Sequence, residues 1–365
     1  MKPDQTYNLK PSILVGAILT ALLTLGPGGC SDSDSSSTDT GTDTGTDTGT
    51  DTGTDTDTNA SSGEALDPDN FISGALIEDV TTESCTLSNG TETTCYKITT
   101  AGVPADSDVG PFCPRTTSDL AASAGIWLDG TGVVYDVDGD FILNLPTTYA
   151  DDHWQLYDLN SGAVNVTTTQ VACEAAARPD VAEEYQNHCV ECSLDYVGGG
   201  ISQTFLIPVT PVPAATSVTV GRAGVSLNGV ILEASAPVDA ILSAYTIAAF
   251  DDCGGHVNPV EGYHYHAATG CTETGTQADG HTALLGYALD GYGIYGRLDS
   301  DGNEQHATLD ECRGATDEIR GYHYHVAPPG NNEFIGCFHG EIEESYVTNG
   351  PGAGGPPGAD GPPPQ

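Results

Sequence analysis

A cysteine-linked tetrapeptide that occurs twice constrains the fold of this chain more than any other feature. Tyr-His-Tyr-His stands at residues 263–266 and again at residues 322–325, each time directly after a glycine. Each copy follows a cysteine at the same distance, Cys253 or Cys312, so that a unit Asp/Glu-Cys-x9-Tyr-His-Tyr-His repeats 59 residues later. Two copies with one spacing indicate that one local structure is built twice.

Short apolar runs that are rich in β-branched residues predict a mainly β fold. They are bounded by Gly, Pro, Asn or Asp, as strands commonly are, and they lie at residues 132–137, 164–167, 204–209, 217–220 and 225–232. Helix signals are few and lie at residues 173–178, 181–187 and within 240–250. We therefore predict a β domain with long, disulfide-pinned loops and few short helices.

The cysteines point to an oxidising compartment. If Cys30 is set apart, ten of the eleven remain, an even number that is compatible with five disulfides. Local grouping predicts three pairs: Cys85–Cys95, Cys253–Cys271 and Cys312–Cys337. Pairing stays open for the other four: Cys113, Cys173, Cys189 and Cys192. A Cys-x-x-Cys spacing among these four would also suit a redox pair or half a zinc site, but no second such pair accompanies it, so structural disulfides are favoured.

The N-terminus resembles a lipoprotein signal. Lys2 and Lys10 are followed by an apolar run at residues 13–25, too short to span a bilayer as a helix, and then by small residues before Cys30. We expect residues 1–30 to be a lipoprotein-type signal segment with Cys30 lipidated, which implies anchoring at the outer membrane or cell surface. Ordinary signal cleavage is the alternative, and it would leave Cys30 as an odd thiol.

Composition predicts the domain organisation and excludes one class of partner. Residues 31–63, rich in Ser, Thr, Asp and Gly, form a predicted disordered tether, and residues 346–365 form a Gly/Pro-rich disordered tail. Between them we expect a β-rich region, residues 64–199, packed on a second region, residues 200–345. The formal net charge of -43 repels nucleic acid and attracts cations. We therefore expect no nucleic-acid partner and membrane attachment through the lipid alone, while a protein or glycan partner stays open.

The repeated tetrapeptide predicts a histidine site. Side chains alternate between the faces of a strand, so His264 and His266 would share one face and Tyr263 and Tyr265 the other. Imidazoles with this spacing can converge on one ion, and imidazole suits copper and zinc. If the two repeats lie side by side, four imidazoles could meet: His264, His266, His323 and His325.

Further candidate residues surround the repeats. His256 and His339 have turn-like flanks and complete the predicted ligand set, but Ala315 stands where a counterpart of His256 would be, so we expect an asymmetric site. Asp290 or His256 could act as a general base beside a metal-bound water, although an Asp before Gly more often caps a turn. Residues 299–304 place oxygen ligands at calcium-like intervals, but calcium is the weaker choice because the full twelve-residue loop is missing.

Several segments together resemble the YHYH-domain family. Besides the doubled tetrapeptide, they are the Gly/Tyr-rich stretch at 286–296, Ile-Gly-Cys-Phe-His-Gly at 335–340, and Val-Ser-Leu-Asn-Gly at 225–229. The resemblance covers about residues 200–340 and identifies the region 200–345 as a YHYH domain. The family has no established biochemical activity, so the resemblance identifies the domain but not its function.

Three classes of function follow. The first is a surface-tethered domain that binds copper or zinc through the His-x-His pairs. The second is a metal-dependent envelope hydrolase that acts on polysaccharide or peptide. The third is a ligand-binding or adhesion module in which the histidines are structural and the contact surface is formed by Tyr263, Tyr265, Tyr322 and Tyr324. Because the sequence has no Gly-x-Ser-x-Gly, Walker or His-Glu-x-x-His motif, we lean against an enzyme.

Overall fold

Short strands dominate the structure, a computed structural model that describes residues 65–178, 180–272 and 275–347. The predicted mainly β class is therefore confirmed. The predictions for the signal segment, for Cys30, for the tether and for nearly all of the tail lie outside the described residues. Within these ranges, no helix is both long enough and apolar enough to cross a membrane.

The strands, in chain order, are β1 Thr81–Thr86, β2 Glu92–Thr100, β3 Ile126–Leu128, β4 Val134–Asp136, β5 Cys189–Val190, β6 Gln203–Pro208, β7 Pro213–Val218, β8 Arg222–Ser226, β9 Ile231–Glu233, β10 Ile247–Ala248, β11 Gly255–Asn258, β12 Gly262–Tyr265, β13 Leu284–Ala288, β14 Gly293–Tyr295, β15 Gly314–Asp317, β16 Gly321–His325 and β17 Phe338–Gly340. The helices are α1 Gly139–Thr148, α2 Gln170–Ala176 and α3 Val238–Ser243.

An eight-stranded sheet carries both repeats, and its strand order is palindromic. The order is β11-β12-β9-β8-β13-β14-β16-β15. The first half of the sheet consists of β8, β9, β11 and β12, and the second half repeats it with β13, β14, β15 and β16. In each half a parallel pair joins the tetrapeptide strand to the inner hairpin, β12 with β9 and β16 with β14. The structural repeat is therefore twice as large as the repeat that is visible in the sequence.

The two halves meet at the antiparallel pair β8–β13, where Val225 lies opposite Tyr287. Equivalent glycines sit on either side of this point, because a Cβ on Gly224 would lie 2.0 Å from the Tyr287 carbonyl oxygen and one on Gly286 would lie 2.2 Å from the Val225 carbonyl oxygen. Only glycine lets these two backbones approach so closely.

The predicted strand at 225–232 is a hairpin, and this corrects the sequence-based prediction. The chain turns between β8 and β9 at Leu227-Asn228-Gly229, where Gly229 has φ +87. Its counterpart between β13 and β14 is Leu289-Asp290-Gly291, where Gly291 has φ +91. An Asn-Gly or Asp-Gly dipeptide between apolar runs is a hairpin signal that the continuous apolar pattern masked.

An aspartate two residues before the cysteine fixes each tetrapeptide hairpin. Asp251 Oδ1 accepts from the backbone N–H groups of Cys253 and Gly255, both at 3.1 Å, and its Oδ2 accepts the Tyr263 hydroxyl at 2.7 Å. Asp310 repeats these contacts with Cys312 (3.0 Å), Gly314 (2.7 Å) and Tyr322 (2.9 Å). The constant spacing between cysteine and tyrosine therefore has a structural cause, since one carboxylate joins both ends of the hairpin.

All ten cysteines of the described residues are in disulfides. The three predicted pairs, Cys85–Cys95, Cys253–Cys271 and Cys312–Cys337, are confirmed. The four left open pair as Cys113–Cys189 and Cys173–Cys192. Cys189 and Cys192 therefore belong to different bridges and form no redox pair.

Strands of the predicted region 64–199 pair with strands of the predicted region 200–345. β6 pairs with β2, and β10 pairs in parallel with β5. A second core forms where Trp127 stacks on Phe250 with ring centroids 5.9 Å apart. Through Phe250, the N-terminal part of the chain reaches one of the histidine clusters described below.

The helices agree only partly with the prediction. The helix expected at 173–178 is present as α2, whereas 181–187 holds only a 3-10 turn at Glu183–Tyr185, and 164–167 forms isolated bridges and no strand. Helix α1 was not predicted, because Gly139 and Pro146 read as helix breakers. It forms because Asp138 caps it, accepting from Phe141 N at 2.8 Å, and because it buries an apolar face.

Candidate metal centres

Seven of the ten histidines gather in two separate clusters. Centre A consists of His256, His264 and His266, and centre B consists of His281, His306, His323 and His325. In each cluster one ligand nitrogen per residue lies within 4.8 Å of the others. Four strands separate β12 from β16, so the repeats do not lie side by side and the four tetrapeptide imidazoles do not meet in one site.

Each tetrapeptide histidine directs its Nδ1 at a backbone carbonyl. In centre A, His264 Nδ1 lies 3.1 Å from Gly262 O and His266 Nδ1 lies 2.6 Å from Ala234 O. Centre B repeats both contacts: His323 to Gly321 O at 3.0 Å and His325 to Gly296 O at 2.7 Å. A carbonyl can only accept, so the Nδ1 carries the proton and the Nε2 of the neutral ring keeps a lone pair. Metal-bound histidines are commonly held in this way.

Burial keeps these imidazoles neutral. It lowers the pKa of His264 to about 4 and that of His266 to about 3, because the charged ring loses its hydration. The same cause lowers the pKa of His323 to about 4 and that of His325 to about 3. At neutral pH all four rings therefore present an unprotonated Nε2.

In centre A, two such lone pairs face each other. The Nε2 atoms of His264 and His266 lie 3.0 Å apart, and neither has a proton to donate. A shared cation turns this repulsion into attraction. Two zinc–nitrogen bonds of about 2.0–2.1 Å at a tetrahedral angle would place the nitrogens roughly 3.3 Å apart, close to the observed separation.

Centre B shows the same arrangement with one more ligand. His281 Nδ1 lies 3.1 Å from Thr282 O, and its Nε2 lies 3.2 Å from His323 Nε2. The Nε2 atoms of His306 and His325 are buried and have no hydrogen-bond partner among the described residues. Buried polar atoms without partners are uncommon, and a bound ion would account for both.

The asymmetry expected from Ala315 is present, and the structure shows how each centre is completed. On β11, His256 lies opposite His264, whereas on β15 Ala315 lies opposite His323. Centre B instead takes His281, from the segment before β13, and His306, from the loop between β14 and β15. Sequence reasoning missed these two as ligands because they lie outside the repeated unit. The only signal was the crowding of eight of the ten histidines into residues 256–339.

Aromatic rings wall both centres. The Phe250 ring centroid lies 4.9 Å from that of His256 and 5.3 Å from that of His266 in centre A. In centre B, the Tyr295 ring lies 4.9 Å from the ring of His281. These rings give each cluster an apolar wall, and apolar surroundings strengthen charge interactions inside a cluster.

Two other predicted site residues lie away from both clusters. His339 stacks on Tyr322, with ring centroids 3.8 Å apart and an interplanar angle of 15°. Asp290 lies on the tyrosine side of the sheet, where it accepts the Tyr324 hydroxyl at 2.5 Å and Gly340 N at 2.9 Å. Burial raises the pKa of Asp290 to about 6, but the structure does not bring its carboxylate to a histidine cluster.

The tyrosines of the repeats are core residues, as the alternation of faces predicts. Tyr263, Tyr265 and Tyr324 are at most 1% exposed, and Tyr322 is half-buried. The calcium-like segment 299–304 is a turn in which Asp299 Oδ1 accepts two backbone N–H groups within the segment, at 2.9 Å each.

Comparison with known proteins agrees with this architecture. Residues 204–307 match the family model described as YHYH protein. The chain is a YHYH-domain protein. The matched part of the YHYH domain contains all of centre A together with His281 and His306, while the second tetrapeptide lies beyond it. Searches of curated proteins and of solved structures gave no significant match.

Proposed function

We propose that this YHYH-domain protein binds transition-metal ions, copper or zinc, at centres A and B. The observation that carries the proposal is the 3.0 Å approach of the His264 and His266 Nε2 atoms, whose rings are neutral and already donate through Nδ1. Apart from a metal-bridged arrangement, such a contact is repulsive. The same tautomer pattern in centre B supports a second ion.

The chemistry of the ligands narrows the choice of metal ion. Both clusters consist of imidazoles alone, and every cysteine of the described residues is in a disulfide, so thiolate ligands are not available. Imidazole suits zinc, copper and nickel, whereas calcium and magnesium prefer oxygen ligands. Among divalent first-row metals, copper binds nitrogen sites most tightly.

Elemental analysis tests the proposal. The oxidised protein, dialysed against zinc or copper and then freed of loose metal, should hold two equivalents. His264→Ala/His266→Ala should lose one equivalent, and His323→Ala/His325→Ala should lose the other. His153→Ala, a control at an exposed histidine outside both clusters, should keep both. A parent protein with less than about 0.1 equivalent would contradict metal binding, because a preformed imidazole site should retain its ion.

Centre A favours a second candidate, a metal-dependent hydrolase acting on polysaccharide or peptide. Three imidazoles leave one tetrahedral position for a water molecule, as in catalytic zinc sites, whereas four imidazoles fill centre B. Zinc-loaded parent protein should then hydrolyse a model ester, peptide or glycoside, and His256→Ala should not. Equal background rates for the two proteins would rule this candidate out. The burial of three of the four repeat tyrosines argues against the adhesion surface.

We also propose that the domain is displayed at the outer membrane or cell surface through a lipid on Cys30. The support is the signal-like sequence before this cysteine and the five disulfides of the described residues, which fit an oxidising compartment. Labelled palmitate should be incorporated into the parent protein in a bacterial host and should be lost in Cys30→Ser.

A further inference from the structure

We infer that a cleft beside centre B is the route by which a divalent transition-metal ion passes between solvent and that centre, so that centre B exchanges its ion while centre A retains its own. The inference rests on the proposed metal binding and adds to it a division of labour between the two centres.

The cleft opens at a ligand of centre B. It has a volume of about 340 Å³, and its lining includes Asp279, His281, Gln305, Asp317, Glu318 and Arg320. His281 also belongs to the four-histidine cluster. An ion in the cleft therefore meets a ligand of the centre without any rearrangement of the sheet, which meets the requirement that a metal site has a way in.

The charge of the cleft favours cations. Asp279, Asp317 and Glu318 supply three carboxylates against one guanidinium, an excess of two negative charges. Arg320 is itself buried and forms ion pairs with Asp279 and Asp317. The charge of Arg320 is therefore neutralised by these two aspartates. Glu318 is exposed and outside these ion pairs, so its carboxylate can attract an approaching cation. Clefts lined by one sign of charge raise the local concentration of the opposite ion.

Centre A lies under the N-terminal part of the chain. The fully buried Phe250 packs against two of its histidines, with its ring centroid 4.9 Å from that of His256 and 5.3 Å from that of His266. The segment that joins β9 to β11 carries β10, which pairs with β5, and Phe250, which bridges to Ile126 of β3. The sheet halves are alike, but this cover lies on one half only.

The corresponding segment of the second half faces outward. Between β14 and β15 the chain passes through the exposed turn at residues 299–304 and then supplies His306 to centre B. Local opening of such a loop costs less than opening of a packed core. The tetrapeptide histidines of the two centres are buried alike, so the difference lies in what surrounds each centre: packed core covers centre A, whereas an exposed loop and the cleft lie beside centre B.

Release kinetics test the division. Protein loaded with two equivalents of zinc is mixed with excess chelator, and released zinc is followed over time. One equivalent should leave at least tenfold faster than the other. The fast phase alone should remain in His264→Ala/His266→Ala, and the slow phase alone in His323→Ala/His325→Ala. A single release rate for two bound equivalents, or the opposite assignment of the phases, would overturn the inference while metal binding stands.

Charge reversal tests the route itself. Glu318→Lys should slow the loading of centre B several-fold at low ionic strength, and the difference from the parent should shrink as salt screens the cleft. Glu83→Lys makes the same charge change at an exposed position on β1 and should load like the parent. Equal loading rates for the two variants would contradict the route. A parent protein that binds no zinc would instead contradict the proposed function, so the two failures are distinguishable.

Discussion

Asp290 holds, in the second half of the sheet, the position that Asn228 holds in the first, and each side chain hydrogen-bonds to the second tyrosine of its tetrapeptide. Asn228 donates to the Tyr265 hydroxyl at 3.1 Å, whereas Asp290 accepts from the Tyr324 hydroxyl at 2.5 Å. One architectural contact is thus made by a neutral amide in one copy and by a titratable acid in the other. The difference gives the second half a pH dependence that the first half lacks at this position.

The raised pKa of Asp290 predicts that the contribution of this residue to stability falls as the pH rises. Burial raises this pKa from 3.8 to about 6 in the folded protein, so folding favours the protonated acid. The stabilisation is fully present below the unfolded pKa and is lost as the pH rises through 6. At about 1.4 kcal/mol per pKa unit, the loss is on the order of 3 kcal/mol.

Urea unfolding of metal-free protein from pH 3.5 to 7.5 checks this expectation. Asp290→Asn installs the residue of the first half and should remove this component of the pH dependence, so that the difference in unfolding free energy between variant and parent grows with pH. If the two curves run parallel over the whole range, the titration of Asp290 does not control stability.

Removal of single ligands should affect the two centres differently. His256→Ala leaves centre A with two imidazoles and should weaken its metal affinity by more than the roughly 10–100-fold that even outer-shell changes cause. His306→Ala leaves centre B with three imidazoles and should weaken binding while preserving one equivalent. Competition titrations with a chromophoric chelator measure both affinities. His339→Ala, at a histidine that contacts Tyr322 and neither cluster, should change neither affinity.

Bound metal should stabilise the fold through each centre separately. A ligand that binds only the folded state at 100 times its Kd adds about 2.7 kcal/mol. The described residues number 280, and at an unfolding entropy of about 2.1 cal/mol/K per residue this corresponds to a rise in Tm of roughly 4–5 °C per centre. Calorimetry with zinc and with chelator should show both increments in the parent and one in His323→Ala/His325→Ala. An unchanged Tm on chelation would mean that the histidines hold the fold without an ion.

Local pattern predicted the parts of this structure that depend on neighbours in sequence. The alternation of His and Tyr on the tetrapeptide strands and the pairing of Cys253 with Cys271 are local properties, and both were predicted correctly. The separation of the two His-x-His pairs depends on the central β8–β13 pairing, which joins residues distant along the chain. The presence of His281 and His306 in centre B depends on the conformation of loops, and loop conformation leaves no periodic pattern in the sequence.

The extension of the repeat to the inner hairpins, β8–β9 and β13–β14, was not predicted from the sequence for a related reason. The inner hairpins share little beyond a glycine on the first strand and a Leu-Asn-Gly or Leu-Asp-Gly turn, and their side chains differ because the surroundings differ. Arg222 begins β8 and pairs with Glu233 at 2.5 Å, whereas β13 begins with Leu284. Structural equivalence was therefore preserved by backbone requirements more than by side-chain identity.

The close approach at the centre of the sheet yields the last prediction. A Cβ on Gly224 would lie 2.0 Å from the Tyr287 carbonyl oxygen, a backbone atom that cannot rotate away. Gly224→Ala must therefore push β8 from β13, and overpacking of this kind typically costs about 1–3 kcal/mol, more where backbone is displaced. Gly286→Ala should cost a similar amount, because its Cβ would lie 2.2 Å from the Val225 carbonyl oxygen.

Gly198→Ala is the matched control for both changes. Gly198 has φ +72 and no atom within 4 Å of a built Cβ, so alanine there costs only the left-handed conformation, about 1 kcal/mol. Urea unfolding should therefore rank Gly224→Ala and Gly286→Ala below Gly198→Ala, with both central variants still binding two metal ions while folded. All three substitutions reduce the freedom of the unfolded chain, and only Gly224→Ala and Gly286→Ala add a collision with backbone atoms. Equal stabilities for the three variants would therefore contradict the conclusion that the junction of the two sheet halves requires glycine.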